Sequence, residues 1–155
     1  MATRLLTASS LAWLLCSTSA WAADQGWRVT ETRGAVLVES HGARRVALGD
    51  MAVAPGDLVT TGGDGRAVLT HGQDFVFVSP NSRVRISEPR PDGITQIFED
   101  VGNALFKIEK KGAPHFTVQT PYLAAVVKGT TFSVNVTDVG ASVQVVEGAV
   151  QVSPV

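Results

Sequence analysis

With 155 residues the chain has room for one domain, and a formal net charge of -1 gives it no basic excess with which to hold nucleic acid. Its single cysteine, Cys16, falls in an apolar N-terminal stretch, so we expect a folded part without disulfides and without a cysteine nucleophile. An apolar core must then supply the stability.

The first predicted element is a helical signal peptide over residues 1–22. Arg4 supplies a positive charge, Leu5 to Cys16 is mostly apolar, and Ala20-Trp21-Ala22 fits the small-x-small pattern of a cleavage site. The alternative, a retained membrane anchor, needs about 18 or more apolar residues. The sequence therefore predicts export to the periplasm and a mature chain that begins at Ala23.

Beyond residue 26, apolar and polar residues alternate in short runs separated by Gly, Pro, Asp and Asn, which indicates strands and turns. In Ser82–Glu88, for example, Val84 and Ile86 share one face. Runs with one buried face and one solvent-exposed face favour antiparallel or solenoidal sheets. No window sustains a helical period, so we expect little or no helix.

These runs predict a single all-β domain over residues 34–153, preceded by an N-terminal lead-in over residues 23–33. We expect a β-solenoid-like stack or roll of short strands. A β-sandwich is the alternative, because the same alternation serves both architectures.

The run Asp74–Val78 differs from the others because both of its faces are apolar. Phe75 and Phe77 lie on one face, and Val76 and Val78 on the other. Such a strand is either central in its sheet or presents one face to a partner. Phe75 and Phe77 are therefore the candidate binding residues.

Catalytic and metal-binding patterns are missing from the sequence. There is no Gly-x-Ser-x-Gly motif, and His41, His71 and His115 show no pair at metal-ligand spacing, so each is interpreted as an exposed strand or turn residue. Glu99 and Asp100 are adjacent, so on a strand they point to opposite faces. We expect no catalytic residue, metal or cofactor, although carboxylates from distant segments could still meet in the fold.

Four segments carry a family pattern in a fixed order. They are GDLVTTG with DGRAVL over residues 56–69, VSPNSRVRI over 78–86, FTVQTP with VKGTTFSV over 116–134, and VVEGAVQV over 145–152. In these segments the chain resembles the FecR domain family, which is found mainly in bacterial periplasmic proteins. One departure is His71-Gly72-Gln73-Asp74, where members usually carry Asp-Gly-Ser before the strand.

The resemblance implies a function that does not involve catalysis. Signalling members join the domain to a cytoplasmic segment through a membrane helix, and we expect neither here, so this chain would not itself transmit a signal. It implies a stand-alone, non-enzymatic periplasmic binding or scaffold module that docks another envelope protein or a cell-wall glycan. The alternative is a carbohydrate-active envelope enzyme whose carboxylates are brought together by the fold.

Overall fold

The computed structural model describes residues 26–155, so the predicted signal peptide and its cleavage site after Ala22 lie outside the described residues. Fourteen strands follow one another along the chain. In chain order they are β1 Arg28–Arg33, β2 Val36–Ser40, β3 Ala43–Val46, β4 Met51–Ala52, β5 Leu58–Thr61, β6 Arg66–His71, β7 Asp74–Val78, β8 Arg83–Ile86, β9 Thr95–Lys107, β10 Phe116–Gln119, β11 Leu123–Val127, β12 Thr131–Val136, β13 Ala141–Glu147 and β14 Gln151–Pro154. Between residues 26 and 155 there is no helix, and hence none that could cross a membrane. The all-β prediction is confirmed.

The strands form one curled sheet, a half-barrel with two wings that share β9. Wing A runs β4-β1-β6-β7-β9-β12-β13, and wing B runs β3-β2-β5-β8-β9-β10-β11-β14. The pairings are antiparallel, apart from the parallel pair of β9 and β10. The solenoid-like stack that the sequence predicted is not confirmed, because neighbouring strands join through tight antiparallel turns. The sequence could not distinguish the two architectures, since strands show the same period of two in both.

Strand β9 bends where it passes from one wing to the other. Its first half pairs with β8 and β10, and its second half with β7 and β12. The register against β8 slips by one residue before Val101. At Gly102 the backbone has φ +104, and an added Cβ would lie 2.5 Å from the Cα of Ser82. Only glycine fits this approach, because any side chain would meet backbone.

The two wings enclose one core built around aromatic rings. Phe106 and Phe132 from wing A stack with ring centroids 5.1 Å apart, and Phe116 from wing B lies 6.1 Å from Phe106. All three side chains are fully buried. Burial of each contributes roughly 1.5–3 kcal/mol to stability, so this contact stabilises the packing of one wing against the other.

The sheet starts within the segment that the sequence treats as a lead-in. Trp27 is buried beside Phe116, at 6.4 Å between ring centroids, and Val29 on β1 is fully buried. Because β1 pairs with both β6 and β4, residues 28–33 are a structural part of wing A.

Replacing Gly102 with Ala tests the bend in β9. The added methyl group would meet Ser82 at a positive φ, so we expect a loss of about 3 kcal/mol or more in the free energy of unfolding, measured in urea. Gly72 is the matched control, since it has φ +59 but no atom within 4 Å of an added Cβ. Gly72→Ala should cost only about 1–2 kcal/mol. Equal losses in the two variants would contradict the close packing of the bend.

Candidate functional site

Strand β7 holds the two candidate binding residues on the outer side of wing A. Val76 and Val78 point into the core and are buried, so Phe75 and Phe77 point outward. The Phe77 side chain is 39% exposed and Phe75 is half-buried. Their rings stack with centroids 6.5 Å apart. Strand β7 is central in its sheet, because β6 and β9 flank it. A central position was one of the two explanations that the sequence offered for its two apolar faces.

Apolar side chains from both neighbouring strands extend this aromatic pair. Val68 on β6 and Leu105 on β9 lie directly opposite Phe77 in the sheet register, and both are half-buried. We call Val68, Phe75, Phe77 and Leu105 together the Phe face. It is a contiguous outward patch on three neighbouring strands, and its members are held by the ladders on both sides of β7.

Positive charge surrounds the Phe face. Arg33 on β1 and Arg66 on β6 are direct cross-strand neighbours, and Lys107 lies opposite Phe75. Within residues 26–155 none of these three cations forms an ion pair. Glu31, opposite Val68, is the acidic residue of this rim. Two like charges in direct opposition repel, so an anionic group placed beside them would relieve the repulsion.

A cleft of about 380 Å³ opens at the end of the sheet where β1 and β6 approach the segment after β8. Trp27 and His71 form one wall, stacked with ring centroids 5.2 Å apart, and Pro89 and Ile94 contribute to the lining. Among the described residues that line it, Glu88 is the one carboxylate. The cleft therefore offers an aromatic wall without a pair of acids.

A second cleft, of about 440 Å³, lies where β9 ends and where β7 and β12 begin. Glu109 and Glu147 both line it, together with Lys107 and Lys110, but no aromatic side chain does. A glycosidase needs two carboxylates placed about the scissile bond. Counting the lining residues between 26 and 155, neither of these two clefts combines such a pair with the aromatic wall that the enzyme alternative requires.

Glu99 is an acid in the core rather than in a cleft. It is fully buried opposite Val84, and neither carboxyl oxygen has a hydrogen-bond partner among the described residues. Burial raises the pKa of Glu99 to about 9, and the nearby backbone amide of Ala104, whose geometry falls short of a hydrogen bond, only partly opposes this rise. The group keeps its proton at neutral pH and lines neither cleft, so it is not placed to act on a substrate. Nothing in the structure explains why an acid occupies this position.

The histidines are less exposed than the sequence suggested. His41 is exposed in a turn, whereas His71 and His115 are half-buried, so the prediction was wrong for these two. No group of three or more His, Cys, Asp or Glu side chains that could hold a metal occurs in the part of the chain that the structure describes. The stack of Trp27 on His71 was missed, because Trp27 was assigned to the lead-in. The alternation of Trp27 with Val29 is the signal that could have revealed it.

Comparison with known proteins gives one match. The sequence model of the family described as FecR protein matches residues 57–151. This segment begins just before β5, ends at the start of β14, and includes both β7 and β9. No curated protein and no solved structure matches the chain.

Replacing Glu99 with Gln should remove a pH dependence of stability. The pKa is about 9 in the folded chain and near its ordinary 4.5 in the unfolded chain. Below the lower value both states hold the proton. Between the two values only the folded state does, so rising pH favours unfolding by about 1.4 kcal/mol per pH unit.

From about pH 5 to about pH 8, the wild type should therefore lose about 4 kcal/mol of stability relative to Glu99→Gln, measured by urea unfolding. The exposed Glu31→Gln variant is the control and should follow the wild-type profile. Parallel profiles for Glu99→Gln and the wild type would show that burial does not hold the proton.

Proposed function

The chain belongs to the FecR family, and from this premise we propose that it is a non-enzymatic binding module of the bacterial envelope that docks another protein through the Phe face. FecR domains are typically associated with the envelope, and the family is not one of enzymes. The observation that carries the proposal is the outward stack of Phe75 on Phe77 at the centre of wing A.

The rigidity of β7 supports the proposed use of the Phe face. Aromatic side chains are over-represented at the centres of protein interfaces, where they bury much area with little loss of conformational freedom. Phe75 and Phe77 lie between two paired strands and against each other, so little ordering remains to be done on binding. A partner that covers the face gains apolar burial at a low entropic cost.

The cationic rim indicates the chemistry of this partner. Arg33, Arg66 and Lys107 surround an apolar centre and form no ion pairs within the described residues. A complementary protein surface has apolar side chains at its centre and Asp or Glu at its edge. We propose an envelope protein with this acidic rim as the partner.

A cell-wall glycan is the second candidate ligand, and it belongs at a different place. The wall of Trp27 and His71, in a cleft of about 380 Å³, offers the aromatic surface on which sugar rings pack. This proposal is independent of the Phe face. Binding of soluble peptidoglycan fragments to the wild type but not to His71→Ala would support it.

We also propose that the domain acts in the periplasm after removal of residues 1–22, with the FecR-like part over residues 34–153. Small residues at Ala20 and Ala22 support cleavage at this point. Intact-mass measurement of the protein from an exporting bacterium should give a chain that begins at or near Ala23. A chain that begins at Met1 would contradict export by cleavage.

Phe77→Ser should weaken docking about tenfold while leaving the fold intact. The side chain is 39% exposed, so its removal should change the free energy of unfolding by only about 0.5–1 kcal/mol. After cross-linking in the periplasm and affinity purification, we expect about tenfold less of the partner than with the wild type, as for the loss of a central interface residue.

Leu37→Ser is the matched control, because Leu37 is 38% exposed on β2 of wing B. It should recover the partner at the wild-type level. Equal recovery with both variants would exclude the Phe face as the docking surface. Recovery of no specific partner by the wild type would overturn the proposal itself.

A further inference from the structure

The outer edge of wing A is formed by β13, which lacks the features that normally keep an edge strand from pairing. It runs from Ala141 to Glu147, and within the described part of the chain it pairs on one side only, with β12. From Ala141 to Val146 it carries neither a charge nor a proline. Monomeric proteins usually protect such an edge with charged side chains, proline, bulges or a short strand.

The other three edges of the half-barrel are protected in these ways. The edge strand β3 carries Arg44 and Arg45, and β4 is only two residues long. The third, β14, is four residues long and ends at Pro154. Strand β13 is seven residues long, and its register shift comes only at its end, next to Glu147. It is therefore the edge that most readily accepts another strand.

The valines of β13 are left uncovered on the side that faces the core. Val145 lies opposite the fully buried Phe132, so its side chain points to the interior, yet it is 44% exposed. Val143, opposite Val134, is half-buried. These side chains are exposed because no strand continues the wing beyond β13, and one further strand would bury them.

We propose that a second copy of this chain supplies that strand, through an antiparallel β13–β13 ladder across a twofold axis. The strand is suited to pair with itself because valines alternate with the neutral Ser142 and Gln144. Its one charge, Glu147, sits at its end and would lie beside the Ala141 end of the other copy, so no like charges meet. Both copies satisfy their free edges at once, as in an isologous interface.

Antiparallel overlap about the middle of β13, at Val143 or Gln144, keeps the valines of both copies on the interior side. In either register the two Gln144 side chains lie on the outer face. They lie directly opposite each other when the overlap is centred at Gln144, and diagonally across the two strands when it is centred at Val143. Gln144 is exposed, and its neighbour on β12 is Ser133. A charge at Gln144 therefore reports on the ladder without disturbing the core.

The test is sedimentation equilibrium of the protein purified from an exporting bacterium. We expect the wild type to form dimers at micromolar concentrations. Gln144→Lys and Gln144→Glu should each raise the dimer dissociation constant by about fivefold, because like charges meet across the axis. An equimolar mixture of the two variants should dimerise at least as well as the wild type, since opposite charges now meet.

Asn135→Lys is the control, because Asn135 is exposed on the same outer face but lies on β12, inside the edge. It should dimerise as the wild type does. All variants should keep the wild-type melting temperature at a protein concentration too low for dimers, since dimerisation itself stabilises the folded chain. A wild type that stays monomeric would overturn the proposal and leave the edge to a strand of another protein. A dimer that neither charge weakens, or a mixture no more dimeric than each variant alone, would also overturn it.

Discussion

The bend of β9 against Ser82 is the constraint on which the rest of the structure depends. A single strand of 13 residues cannot serve two wings unless it turns between them, and it turns where the register slips and Gly102 takes a positive φ. The hydroxyl of Ser82 accepts a hydrogen bond from the backbone amide of Asn103 at 3.0 Å, and this bond also stabilises the bend. Once β9 is bent, Ile97 from its first half and Phe106 from its second half point into one core that both wings share.

The Phe face follows from the same strand. The second half of β9 forms one border of β7, and β6 forms the other, so β7 is central with the core on one side and solvent on the other. Its inward valines hold it against the core, and its outward phenylalanines are then fixed in place without being buried. We propose that an apolar pair held in this way serves as the docking surface, because the ordering has already occurred during folding.

Local alternation predicted much of the fold and the members of the site, but not how they assemble. The run Asp74–Val78 shows why, since two apolar faces in the sequence were enough to place Phe75 and Phe77 together on one face of a central strand. Which strands would flank them depends on pairings between distant segments, such as that of β9 with β12, and a period of two contains no information about partners. The solenoid expectation was not confirmed for this reason.

Two further features were beyond local patterns for different reasons. Glu99 was correctly placed on the face opposite Asp100, but alternation alone could not show that no hydrogen-bond partner would reach its carboxyl group. The wall of Trp27 and His71 joins residues far apart in sequence, and one of them lies before the first strand. Both features arise from tertiary packing, which overrides what a short window of sequence can express.

The most direct measurement is site-specific photo-cross-linking in living cells, with a photoreactive phenylalanine analogue in place of Phe77. The same analogue in place of Leu37, an equally exposed residue on the other wing, is the reference. If the Phe face is the docking surface, position 77 should give a discrete cross-linked species of defined mass that position 37 does not give. The same products from both positions, or none from position 77, would contradict docking at this face.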